Sequence, residues 1–137
     1  MKTEIKNIAA FLATAAWANG YYAEEEKEQM KEIAEALGLD EKTLNEAVDA
    51  EIDKLDKMNE DEAGEYLIEN AAAIDEEDAV ALMECAIEIV LADGVIERDE
   101  VETLFDLADA TGTLSHTQVL LMVADLIKHE PEIEVKF

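Results

Sequence analysis

The stretch LMECAIEIVLADGVIERDEVETLFDLADATG, residues 82–112, decides the fold, because it is written a second time, more degenerately, as IAAFLATAAWANGYYAEEEKEQMKEIAEALG, residues 8–38. An offset of 74 places Ala18 on Ala92, Gly20 on Gly94, Glu26 on Glu100, Ala34 on Ala108 and Gly38 on Gly112. Within each copy apolar residues recur at three- and four-residue steps, the spacing of one helix face. Glycine past a helix end supplies the left-handed residue that closes the terminus without a Cβ clash. Each copy therefore reads as a helix, a glycine turn and a second helix.

Outside the copies the same spacing continues. It predicts helices over about 3–18, 23–37, 76–92 and 98–110, with a third helix capped by Asp40, a fourth opened by Asn59 or Asp61, and a seventh opened by Ser115. Asp75 caps the fifth, which is the most apolar and is expected at the centre of the core. Ser115 and Gln118 form a capping-box pattern. No alternating strand pattern is present. The fold class is all-α: one domain over 1–137, a bundle of about seven helices with an internal pseudo-repeat over 8–38 and 82–112. With 137 residues, larger barrels and two-domain folds are excluded.

Half of the residues are hydrophobic but only 5% are aromatic, so the core is built from Ala, Leu, Ile, Val and Met. Charge is extreme: 36 acidic against 10 basic residues, a formal net charge of −26. It is spread evenly, with 7 basic and 19 acidic residues in 1–74 and 3 and 17 in 75–137. Such a surface disfavours direct contact with nucleic acid or an anionic membrane, both of which demand Lys and Arg. Protein partners are expected, and a homodimer is compatible with the sequence. Cys85 is the single cysteine, so no internal disulfide forms, and a cytoplasmic location is expected. Met1, Lys2 and Lys6 ahead of the apolar run 8–17 imitate a short signal peptide. That run occupies the slot of 82–91 in the other copy, which assigns it to the folded bundle. No stretch reaches the length needed to cross a bilayer.

The turns carry the candidate chemistry. In the second copy Asp93 ends one helix, where the dipole disfavours a carboxylate, and Asp99 and Glu100 begin the next. A hard cation such as Ca2+ takes carboxylate and carbonyl oxygens, and an Asp–Gly turn offers both. An EF-hand is excluded, since its earlier ligand positions would be Ile89 and Leu91 on a buried face. Two readings stand for Asp93 and Glu100: cation ligands, or a helix stop followed by a dipole partner. Glu97 and Asp99 read as solvated helix-start carboxylates or as auxiliary ligands. Trp17, Tyr21 and Tyr22 read as a staple over the first turn. His116, His129 and Cys85 fit no zinc spacing, and Cys85 reads as a small buried hydrophobe. Phosphate-loop, nucleophile-elbow and paired-histidine motifs are absent, so a non-enzymatic role is expected.

The pattern Ala-Asp-Gly-x-Ile-x-x-x-Glu over 92–100, preceded by an apolar helix and present in degenerate duplicate, resembles the tellurite-resistance TerB family and the TerB-like domain of membrane-anchored DnaJ-type co-chaperones. The resemblance covers about 5–128. It implies a non-enzymatic helical bundle with an acidic, divalent-metal-binding cluster, acting in stress response or phage defence and in membrane-linked complexes. The matching positions are Asp93 and Glu100, with Glu26 in the first copy. There Asn19 replaces the Asp, keeping an oxygen donor but losing a charge. The alternative from charge alone is an acidic interaction or DNA-mimic protein, or a salt-adapted surface, with no metal site.

Overall fold

The computed structural model describes residues 3–18, 24–91, 95–130 and 132–136, with the side chains of 17, 18, 24–29 and 136 left out of the description. Among the described residues seven helices form: α1 Ile5–Ala18, α2 Glu24–Leu37, α3 Glu41–Asp56, α4 Glu60–Ala72, α5 Glu76–Leu91, α6 Arg98–Thr111 and α7 His116–His129. None is long and apolar enough to cross a membrane. Two three-residue strands, β1 Val95–Glu97 and β2 Glu134–Lys136, accompany them.

Local chemistry sets most of the boundaries. Asp40 precedes α3 with extended backbone and accepts from the Thr43 amide and hydroxyl at 3.0 and 2.9 Å, which holds its carboxyl below the usual range. Asn59 and Glu62 close a reciprocal capping box at the start of α4, as Ser115 and Gln118 do for α7. Gly112 ends α6 at φ 72°, with its amide reaching back to Ala108 and Asp109.

The centre of the bundle is α1. Residues 8–16 are buried on every side of the helix, and α1 packs against α3, α4, α5 and α6. The sequence favoured α5 for that place. Both helices are heavily buried, but five alanines between positions 9 and 16 let α1 accept neighbours all round. Thr14, also buried, satisfies its hydroxyl on the Ala10 carbonyl at 2.9 Å. Helices from the two sequence copies pack on each other: α1 touches α5 and α6, and α5 touches α1 and α2.

The all-α bundle expected from the sequence carries one small addition: β1 and β2 pair in parallel, Val95 opposite Glu134 and Glu97 opposite Lys136. Three residues are too few for an alternating pattern to declare itself in sequence. Ile96 is fully buried and Ile133, just before β2, is nearly so, which anchors both strands on the core.

Buried polar ties add specificity. Thr3 donates its amide and hydroxyl to Asp78 Oδ2 at 2.9 and 2.7 Å and accepts from the Asp75 amide, fixing the segment before α1 to the start of α5. Between α3 and α4, the Tyr66 hydroxyl donates to Glu51, whose other oxygen lies 3.4 Å from Lys54 Nζ. Burial, with the Glu51 hydrogen bond second, pushes the Tyr66 phenol up to about 12.

Two outcomes follow from these environments. Tyr66→Phe leaves the buried Glu51 carboxylate short of a donor and should cost about 1–3 kcal/mol in denaturant unfolding. The folded phenol titrates near 12 against 10.0 unfolded. Its contribution is therefore complete below pH 10 and is lost as pH rises through 12, and the variant should flatten that part of the alkaline limb. Cys85 is buried, and desolvation, then the nearby Glu88 and Glu84 carboxylates, pushes its thiol up to about 12. Native protein at pH 8 should label with a thiol reagent far more slowly than unfolded protein; equal rates would contradict the burial.

Candidate functional site

The candidate turn joins two firmly held elements. Ile89, Val90 and Leu91 bury the end of α5 in the core, so the earlier ligand positions of an EF-hand are occupied by packing. On the far side, the β1–β2 ladder fixes the backbone at 95–97, and α6 starts at Arg98.

Within this frame the three described carboxylates of the turn part company. Glu100 turns inward: it is 5% exposed, and its Oε1 accepts from the Glu97 amide at 2.9 Å, closing the first turn of α6 on itself. A carboxylate buried at a helix start is favoured by the positive end of the dipole. Glu97 and Asp99 are exposed. Asp99 lines a cavity against α4 together with Ala63 and Leu67. Arg98 lies 3.5 Å from Glu102 in an exposed pair of little energetic weight.

Asn19 and Asp93 lie outside the described residues, as does the side chain of Glu26, although its backbone belongs to α2. Among the described residues no group of three or more His, Cys, Asp or Glu side chains is arranged to hold a metal. The structure thus buries Glu100 at the start of α6 and leaves Glu97 and Asp99 exposed. The Trp17, Tyr21 and Tyr22 staple also falls outside the description.

His116 is exposed at the start of α7, stacks on Phe105 at 4.3 Å with rings 2° from parallel, and places Nε2 2.8 Å from Asp109. It ties α7 to α6. Sequence reasoning missed that Glu51 and Asp78 are buried. Glu51 was detectable: it sits among Val48, Ile52 and Leu55 on the apolar stripe of α3, where a carboxylate is out of place. No comparable signal marks Glu134, which strand pairing sets beside Val95.

A family model described as tellurite resistance protein TerB matches residues 6–129, from the first turn of α1 to the end of α7. No curated protein and no solved structure matches the chain. The chain belongs to the TerB family. The match spans both sequence copies, 8–38 and 82–112, and stops short of β2.

The inward and outward carboxylates should behave differently on substitution. Glu100→Ala removes the acceptor of the Glu97 amide and should cost roughly 1–2 kcal/mol. Asp99→Ala, at an exposed position, should stay within about 0.5 kcal/mol of the parent. Paired urea melts check both, and equal costs would contradict the inward placement of Glu100.

Proposed function

We propose that this chain is a non-enzymatic TerB-family binding module that holds a divalent cation of the Ca2+ class at the turn between α5 and α6. Asp93 and Glu100 are its principal oxygen donors, with Glu97, Asp99, Asn19 and Glu26 as auxiliary positions. The observation that carries the reading is Glu100, a carboxylate 5% exposed in the first turn of α6 and oriented by the Glu97 amide. An oriented, desolvated carboxylate next to an Asp–Gly turn is a hard-oxygen donor whose desolvation a cation would offset. The donor set is entirely oxygen, which suits Ca2+ and not a thiolate- or imidazole-seeking metal.

Family membership supports a part in stress response, in protein complexes that include membrane-linked ones. With a net charge of −26 the surface repels an oxyanion such as tellurite. The module accordingly acts through the cation and through partner proteins rather than by taking up the oxyanion itself.

Calorimetric titration with Ca2+ at constant ionic strength tests this. The parent should show a saturable heat and, at a hundredfold excess over Kd, a stability gain of about 2.7 kcal/mol. Asp93→Ala combined with Glu100→Ala should show neither. Equal heats in both proteins would remove the site. Stability that climbs gradually with NaCl and ignores Ca2+ would instead mark an acidic decoy or salt-adapted surface.

A further inference from the structure

A second feature of the surface lies apart from the turn, in the furrow where α4 runs beside α6. Two adjoining cavities, of about 520 and 440 Å³, share Gly64, Leu67 and Asp106 in their walls. The two banks differ in chemistry. Beyond Glu60 at its start, the α4 bank is apolar, with Ala63, Gly64, Leu67 and Ile68 at helical spacing, and Ile68 is 58% exposed. The α6 bank is acidic, with Asp99, Glu102, Asp106 and Asp109 on one stripe. At about 1.5 Å per residue that stripe is about 15 Å long, close to three helical turns.

Gly64 is the informative residue. It occupies the interior of α4, where glycine is the least favourable residue after proline, and a Cβ built there would meet nothing within 4 Å. Among the described residues no contact requires it. Its lack of a side chain keeps the furrow open along the apolar bank.

We infer that the α4–α6 furrow docks a basic amphipathic helix of a partner protein, its apolar face on Leu67 and Ile68 and its Lys or Arg residues along Asp99, Glu102, Asp106 and Asp109. Charge complementarity selects the occupant: an apolar stripe flanked by one sign of charge matches a helix with basic residues at i, i+3 or i+4, and i+7. A second copy of this chain is a poor occupant, because its 10 basic residues are dispersed among 36 acidic ones. The furrow shares Asp99 with the proposed cation site but neither of its principal donors, Asp93 and Glu100, and the variants below touch neither, so the two can fail separately.

Fluorescence anisotropy with a labelled Leu/Lys amphipathic peptide, in EDTA and about 0.15 M salt, tests the docking. A scrambled peptide of equal composition serves as the reference. The amphipathic peptide should bind at least tenfold more tightly than the scrambled one. Gly64→Leu, which fills the furrow with a better helix former, should weaken binding at least tenfold without lowering Tm. Glu102→Gln with Asp106→Asn should weaken it and flatten its salt dependence, whereas Glu32→Gln with Glu35→Gln, exposed on α2, should leave it unchanged. Equal affinity for both peptides, or unaltered binding by the Gly64 variant, would overturn the proposal in favour of diffuse charge attraction.

Discussion

Small side chains along α1 are the constraint on which the rest of the architecture depends. A helix surrounded by four others cannot present a bulky stripe in every direction, because interaxial distances in helix packing are set by the side chains at the contact. Alanines between positions 9 and 16 meet that condition, while Ile8, Phe11 and Leu12 supply the larger fully buried volume. Since α6 packs on both α1 and α4, the depth of the furrow and the placement of the turn before α6 are both consequences of how closely α1 is approached. Enlarging one of these alanines would push a neighbouring helix outward rather than fill a void, since interiors are close-packed.

Much of this was legible in the sequence for local reasons. Asp40, Asn59, Ser115 and Gly112 announce helix ends through hydrogen bonds made within a few residues, and the structure shows the bonds their positions imply. The burial of α5 was legible from its apolar content, but the equal enclosure of α1 was not. Alanine scores as weakly hydrophobic yet is the residue that permits all-round contact, so apolar content pointed to α5. The β1–β2 pairing was invisible because it joins segments far apart in the chain, each too short to show a period.

For the candidate site, the sequence could not say which carboxylate is buried and which are exposed. Helical geometry decides that: Glu97 and Glu100, three apart, form an N-cap and N3 pair, so Glu100 folds back over the first turn, while Asp99 stays exposed. The highly acidic composition also obscured how selectively carboxylates are buried. Among the described residues Glu51, Asp78 and Glu100 are the buried ones. Each meets a donor: Tyr66 with Lys54, Thr3, and the Glu97 amide. The remaining described carboxylates stay near water, where mutual repulsion is screened.

The parallel pairing of β1 with β2 has a bearing on how the molecule is made. During synthesis β1 leaves the ribosome well before its partner, which follows only after all of α6 and α7. Until then the backbone at 95–97 has no strand beside it, although Ile96 can already sink into the nascent core. The parallel pairing that fixes 95–97 ahead of α6 thus waits for β2, and an emerging polypeptide passes through a stage with its helices assembled and that segment still unlatched.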